Sequence, residues 1–467
     1  MSHFRNRLLL STFLILFLGG CIQDVFKTDE NTEGPVSSEN TEDPVSDTEL
    51  NDSTTTEEQD AAVSDPRIVL QDAYLCSEQV SGFDTCQYNT DLFRTKSHVF
   101  LYSSKMVNSE PQNSISLYAD GDFEAYPVIP NLHDANASVD TQFSLDYKAD
   151  AIVTYDYSEA GVTSILVTTI DTTVSPLKVT HAAVGIPTDE ISGIYPVYVD
   201  SNVLYGAGKR SSDNGQFLYS VDYNDSANVI VTRLAGLHDG SYNVANWQQS
   251  FNYQLRYTVD YVNKLGNILV FNFHPGEDLN YDAIWENSEV YWINLDDPSV
   301  GGYYSLGQNV RADRFTMHGG ELYFAYASSA QQMWVKAAVS GTGAAASLQF
   351  STVFELSAES PNYLMSMGST LYAIPQNENF SPTLFAVNTS DYTLGSLEYR
   401  FTRPLGADGY EIYSVSISNY GYYHGAPKDS SLQTKAQPVE IDGQFYLPGV
   451  VGSSPNDFGV YRLEFFE

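Results

Sequence analysis

The chain has few cysteines, few basic residues and no apolar run of membrane-spanning length. Its 467 residues include three cysteines, with no C-x-x-C and no nearby histidine pair, so they do not form a zinc-site pattern. Lys and Arg total 22 against 59 Asp and Glu, a formal charge of −37. Such a surface repels a phosphate backbone, so nucleic acid is not expected as a partner, and direct contact with an anionic membrane surface is disfavoured. The apolar stretch near the start, Leu8 to Leu18, is about eleven residues. A helix crossing a hydrocarbon core about 30 Å thick takes ~20. Missing too are H-E-x-x-H, G-x-S-x-G and the P-loop. Their absence weakens the case for an enzyme without removing it, because scattered loop residues also build active sites.

Arg5 and Arg7 precede the apolar stretch, the arrangement of an export signal. It ends in Leu18-Gly19-Gly20-Cys21, which resembles the lipobox of bacterial lipoproteins. The resemblance covers the first twenty-odd residues. It implies removal of residues 1–20 as a signal peptide and acylation of Cys21. Several acyl chains at ~0.8 kcal/mol per buried methylene hold a protein stably on a membrane, where one chain would be reversible. Ile22, not Asp, follows the cysteine; under the sorting rule of enteric-type bacteria that implies the outer membrane. An exported chain meets an oxidising compartment, so Cys76 and Cys86, ten apart in "CSEQVSGFDTC", are expected to close a small disulfide loop. Two free buried thiols are the alternative.

From Gln23 to Asp65 there are fourteen acidic residues and one Lys, with a near-repeat of "NTEGPVSSE" in "NTEDPVSDT". Such a stretch cannot bury enough apolar surface to offset its ordering entropy. Residues 21–65 therefore read as a self-repelling tether with an average reach of roughly 35 Å.

Beyond Pro66 the pattern changes. Short alternating runs rich in Val, Ile, Tyr and Phe are broken by Gly, Asn, Asp and Ser, with no convincing amphipathic helix, so residues 66–467 read as all-β. A hairpin unit recurs. Its second strand begins near His98, Ala151, Asn202, Asn267, Glu321, Thr370 and Tyr420, at intervals of 53, 51, 65, 54, 49 and 50. Seven units of about fifty residues, each with room for four strands, resemble a β-propeller; six or eight blades also fit. "RIVLQ" (67–71) is a candidate for the outermost strand of the last blade. Segments 434–441, 444–449 and 459–466 all look like strands, one more than this scheme places. The single Asp-box-like hairpin at Ser211, Asp213 and Gly215 has a structural reading only.

With strands labelled A to D from the centre, D-to-A and B-to-C loops share one face. The tight A-to-B turns ("HGGE", "MGST", "VDSN") and the C-to-D loops share the other. Two long excursions fall on the first face. They are a D-to-A loop near 236–252 and the following B-to-C loop at 274–288, which carry His238, Asp239, Trp247, His274, Glu277, Asp278, Asp282, Trp285 and Glu286. Aromatic faces beside carboxylates suit a sugar, whose C–H face stacks while its hydroxyls are hydrogen-bonded. Loops that pack on themselves, each Trp a local plug, are the plainer reading. "EDLNYD" offers oxygens to Ca²⁺ but lacks the order of an EF-hand loop, so solvated carboxylates and no cofactor are expected, with Ca²⁺ as the alternative. "DGDFE" (120–124) reads as a charged hairpin turn. His274 and His424 each read as ending a B strand on this face, in well-separated blades. His133-Asp134 and His238-Asp239 lack the helical histidines an HD metal site needs. Tyr155, Tyr205, Tyr323, Tyr372 and Tyr422 recur in B strands, where packing between blades explains them.

The expected protein is a lipid-anchored propeller of a bacterial envelope that binds a protein or glycan through the elaborated face, without catalysis. A polysaccharide lyase or hydrolase with a loop-built site is the alternative.

Overall fold

The computed structural model describes residues 66–466 except 77–84, 108–109, 131–142, 159–160, 190, 211–215, 235–258, 274–287, 308–310, 329–330, 356–360, 376–382, 405–409, 412–413, 418–430, 435–436 and 452–457. Almost every element is a strand. β1 (Arg67–Leu75) stands apart at the start. The first sheet is β2 (Thr85–Arg94), β3 (Val99–Val107), β4 (Glu110–Ala119) and β5 (Asp122–Ile129). The second is β6 (Phe143–Asp146), β7 (Ala151–Ser158), β8 (Gly161–Asp171) and β9 (Lys178–Gly185). The third is β10 (Ile191–Asp200), β11 (Val203–Arg210), β12 (Gln216–Asp222) and β13 (Ile230–Arg233), touching the second through the pair Ile194–Val162. The fourth is β14 (Val259–Leu265), β15 (Ile268–Phe273), β16 (Ser288–Asn294) and β17 (Gly301–Gly307). The fifth is β18 (Arg311–His318), β19 (Glu321–Ser328), β20 (Gln331–Ser340) and β21 (Ser347–Phe354). The sixth is β22 (Pro361–Met367), β23 (Thr370–Pro375), β24 (Thr383–Asn388) and β25 (Thr393–Arg403). Three short strands follow: β26 (Tyr410–Glu411), β27 (Ser414–Ile417) and β28 (Ser431–Thr434). The chain ends in β29 (Val439–Ile441), β30 (Gln444–Val451) and β31 (Phe458–Phe466).

The seventh sheet is made from both ends of the domain. β29 pairs with β30, β30 with β31, and β31 with β1, all antiparallel. The first strand is thus the outermost strand of the last sheet, as expected for "RIVLQ". β1 also lies parallel to β25 over three residue pairs. A Cβ on Gly459 would sit 2.3 Å from the Tyr74 carbonyl oxygen, so the bulge in the β1–β31 ladder at Asp72–Tyr74 requires glycine opposite it.

Each sheet alone would leave an apolar face bare, and seven clusters of buried side chains fill the spaces between them. Phe100, Tyr102 and Leu117 meet Ile152 between sheets one and two. Val162 and Ile165 meet Ile194 and Leu204 between two and three. Tyr205 and Leu218 meet Leu269 and Phe271 between three and four. Val270 and Trp292 meet Leu322 and Phe324 between four and five. Tyr323 and Trp334 meet Leu364 and Leu371 between five and six. Met365 and Leu384 meet Leu447 and Leu463 between six and seven. The last cluster joins Ile441 and Val460 of the seventh sheet to Leu92 and Leu101 of the first. That cyclic order closes the ring: the described residues form an all-β propeller of seven sheets, each built on four strands, with β27 and β28 added to the seventh. Tyr205 and Tyr323 are buried in these interfaces, and Tyr155 and Tyr372 are packed against them, so the tyrosine pattern is packing. Tyr422 lies outside the described residues.

The first six second strands begin at or within one residue of the expected positions, from Val99 to Thr370. The seventh does not. It begins at Gln444, not near Tyr420, so the interval is longer than the regular beat. Of the expected segments 434–441, 444–449 and 459–466, the first holds β29 only at Val439–Ile441, the other two are β30 and β31, and β1 supplies the fourth strand of the last sheet. The strand-like run at 413–422 belongs instead to the connection between sheets six and seven. There β27 pairs in parallel with β28, and β28 pairs antiparallel with the end of β30, so these short strands extend the inner edge of the seventh sheet. His424, read as ending a B strand, lies outside the described residues. The Asp-box-like residues 211–215 are outside them too.

The A-to-B turns are short because the sequence allows left-handed backbone there. Ser201 and Asn202 adopt φ of 56° and 60°, the pair of positive φ values that lets a two-residue hairpin match strand twist. Asp120 (φ 53°) and Gly121 make the turn read from "DGDFE".

Neighbouring sheets are also latched by polar groups. The fully buried Asp146, which ends β6, accepts hydrogen bonds from the backbone N–H of Ala149 (2.9 Å), Ser201 (2.8 Å) and Asn202 (2.6 Å). It thereby satisfies a turn of the next sheet. Asn294 donates to the Gly343 and Ala346 carbonyls at 2.9 and 3.0 Å, tying sheet four to sheet five. Gln437, just before β29, accepts from Ser366 N–H (3.0 Å). It donates to the Tyr363 hydroxyl (2.8 Å) and to Thr316 Oγ1 (3.2 Å), reaching from the seventh sheet to the sixth and fifth.

Candidate functional site

Antiparallel order sends alternate connections to opposite faces. The loop face carries D-to-A and B-to-C connections; the turn face carries A-to-B turns and C-to-D loops. β13 ends at Arg233 and β14 begins at Val259, so residues 234–258 are a D-to-A connection. β15 ends at Phe273 and β16 begins at Ser288, so 274–287 are the B-to-C connection of the next sheet. Val259 and Phe273 are partners in register, which roots the two connections side by side on one face. His238, Asp239, Trp247, His274, Glu277, Asp278, Asp282, Trp285 and Glu286 fall within them, outside the described residues.

Residues 404–438, between β25 and β29, are a longer connection on that same face. Sequence reasoning missed it because it contains strand-like runs. The Cys76–Cys86 segment also lies there, linking the end of β1 to the start of β2 where the ring closes. Cys76 is fully buried in the closing cluster; the side chain of Cys86 is outside the described residues.

The turn face, expected to be plain, carries a cleft of about 710 Å³. It is built from three sheets. The turn after β2 supplies Lys96 and His98, the C-to-D loop of sheet two supplies Val174 to Leu177, and the turn before β30 supplies Asp442. Leu117 and Ile441 are buried in its floor, whereas Tyr126 is 44 % and Val174 43 % exposed. Arg94 donates from Nη1 to the Glu440 carbonyl at 2.9 Å, stitching sheet one to sheet seven along one wall. Burial, then the neighbouring Tyr446 and Asp442, raise the Tyr118 hydroxyl above the usual phenol range, so it stays a neutral donor. The signal in the sequence was Arg94, Lys96 and His98, three alternating basic residues in a chain with only 22 Lys and Arg.

Below the cleft, Asp150 holds its shape. Its carboxylate accepts from Thr95 Oγ1 and from Ser97 N–H (3.1 Å), and it faces His98 Nδ1 at 3.2 Å. Partial burial pushes the Asp150 carboxyl up, but the hydrogen bonds from Thr95, Ser97 and His98 outweigh it and hold it down at about 2. A depressed carboxylate pKa stabilises the fold above the unfolded value and loses that contribution as pH falls through the folded one. The wild type should therefore lose stability relative to Asp150→Asn between about pH 4 and pH 2. Urea midpoints for both proteins across that range check this; parallel curves would refute it.

A second polar cluster is structural. Asp200, 4 % exposed, is paired with Lys264 and, at 3.2 Å, with Lys148. Burial raises its carboxyl, but the two ammonium groups prevail and hold it below the usual carboxylate range. Among the described residues no group of His, Cys, Asp and Glu is arranged to hold a metal ion. No helix among them is long and apolar enough to cross a membrane.

No family model matches the chain, and no curated protein matches it. Solved structures do. A prolyl oligopeptidase B from Galerina marginata is 10 % identical, with a TM-score of 0.41, over 82 % of this chain and 51 % of that one. The WD40 domain of SCAP from fission yeast is 10 % identical, with a TM-score of 0.36, over 85 % and 97 %. A mutant sialidase of Trypanosoma rangeli displaying trans-sialidase activity is 10 % identical, with a TM-score of 0.29, over 66 % and 53 %. The chain spans about half the length of the oligopeptidase. At such scores the assignment of architecture rests on the sheets, their pairings and their cyclic order, and no activity transfers from these proteins.

Proposed function

We propose that this chain is a lipid-anchored protein of a bacterial envelope whose propeller binds a protein or glycan partner through its loop face, without catalysis. The observation that supports this reading is the shared root of two long connections. The register pair Val259–Phe273 sets 234–258 and 274–287 side by side on a closed ring. A rigid scaffold carrying adjacent long loops is a common way to build a binding surface. Acylation at Cys21 and an acidic tether at 21–65 would hold the ring at a membrane, on the outer-membrane side of the sorting rule. A Cys76–Cys86 disulfide would cross-link the ends of the segment that joins the last sheet to the first; thiol labelling of the denatured, unreduced chain tests it.

Pull-down from envelope extracts should recover a partner with the full chain and lose it when residues 236–252 are deleted. The Cys21→Ala variant should leave the membrane fraction and carry no fatty-acid label. Equal recovery with and without 236–252 would sink the loop-face assignment. Turnover of neutral or acidic polysaccharides by the purified protein would replace the binding reading with the enzymatic one.

A further inference from the structure

We propose that the turn-face cleft is a second binding site, independent of the loop face, for a short, neutral, hydroxyl-rich oligosaccharide. Its volume of about 710 Å³ falls within the range of roughly 300–1,000 Å³ typical of small-molecule sites. Its lining divides as a sugar requires. Val174, Leu177 and the exposed ring of Tyr126 supply its apolar surface, over the buried Leu117 and Ile441. The C–H face of a pyranose buries area against such surfaces, and hydroxyls at the ring edge then need partners. Those partners surround the opening: Arg94 and Lys96 donate, while Asp120, Glu440 and Asp442 accept.

The balance of charge selects against ionic ligands. Two fixed cations stand near three carboxylates, so the cleft has no strong field of either sign. The whole chain, at −37, repels polyanions at long range. A cationic ligand would meet Lys96 and Arg94, an anionic one the three carboxylates. A neutral polyol can satisfy both sets at once. The walls are fixed before binding. Asp150 pins the Lys96–His98 turn, and Arg94 ties the wall to Glu440, so little ordering entropy is lost on binding.

The test is titration of the full-length chain, held in a detergent without a sugar headgroup. The probes are cellotriose, maltotriose and chitotriose, with trigalacturonate as the anionic comparator. Saturable binding of at least one neutral trisaccharide is expected, read by calorimetry and by saturation-transfer NMR. Tyr126→Ala and Lys96→Ala should each weaken it at least tenfold without moving the melting temperature. Tyr303→Ala, an exposed tyrosine on β17, should leave it unchanged, as should deletion of 236–252, which separates this site from the loop-face reading. The assignment is overturned if none of the neutral sugars binds at 10 mM. It is equally overturned if trigalacturonate binds more tightly than all three, or if the cleft variants bind as the wild type does.

Discussion

Removing residues 1–75 should abolish cooperative unfolding, whereas removing residues 1–65 should leave the melting curve where it was. The contrast isolates β1. Its Ile68 and Leu70 are fully buried and Tyr74 is 7 % exposed, inside two different interface clusters. Burying each such side chain contributes about 1.5–3 kcal/mol. β1 also pairs with β31 over most of its length, and its first residues pair with β25. Without it, β31 and β25 present bare edges, and unpaired edges invite aggregation. A chain of this size has a net stability of only about 5–15 kcal/mol, so losing one strand from the seam exceeds what the ring can absorb. Leu70→Ala, which cuts β1's packing but keeps its backbone, should cost about 2–5 kcal/mol. Thermal melts by near-ultraviolet circular dichroism decide the matter. A cooperative melt near the wild-type temperature for the 1–75 deletion would show that the ring is not closed by its first strand.

Asp146→Ala should be the most damaging single polar substitution in the described domain, costing about 3 kcal/mol, since hydrogen bonds to a charged acceptor contribute about 1.5–3 kcal/mol. Asp146 is fully buried and receives three backbone N–H groups, two of them from the Ser201–Asn202 turn of the next sheet. That turn holds both residues at positive φ, a conformation that needs outside support in a serine. Burial first, then the Asp146 carboxylate, raise the Tyr223 hydroxyl well above the usual phenol range, so the tyrosine remains a donor beside it. Alanine would strand the Ala149, Ser201 and Asn202 N–H groups. Asn keeps one acceptor oxygen but turns an NH₂ toward N–H donors, so Asp146→Asn should fall between. Urea midpoints at neutral pH rank the three proteins; an alanine variant within 0.5 kcal/mol of wild type would mean the latch is decorative.

The sequence exposed the repeat because its signals are local. An A-to-B hairpin announces itself within ten residues: alternation, a Gly- or Asn-bearing turn, then alternation again. Hence Ala151, Glu321 and Thr370 were legible as strand starts to the residue. The seventh unit was misplaced for the same reason. Residues 414–417 alternate as a hairpin strand does, yet they pair in parallel with 431–434, and alternation carries no information about the partner. The loop-face candidates were legible as a face because parity follows from antiparallel order alone. The cleft was not legible: its walls come from 94–98, 118–126, 172–177 and 440–442, and nothing local links the first of these to the last.

By itself, then, the sequence determined an all-β ring of repeated hairpins, an acidic leader segment and the face to which each loop is sent, because these depend on alternation, turn residues and composition within a short window. Only the tertiary structure decided which strand completes the seventh sheet, where Asp146 and Asp150 spend their charge, and that the turn face is hollow. Those facts depend on contacts between residues as far apart as Gln71 and Glu464, and such contacts exist only once the ring has closed.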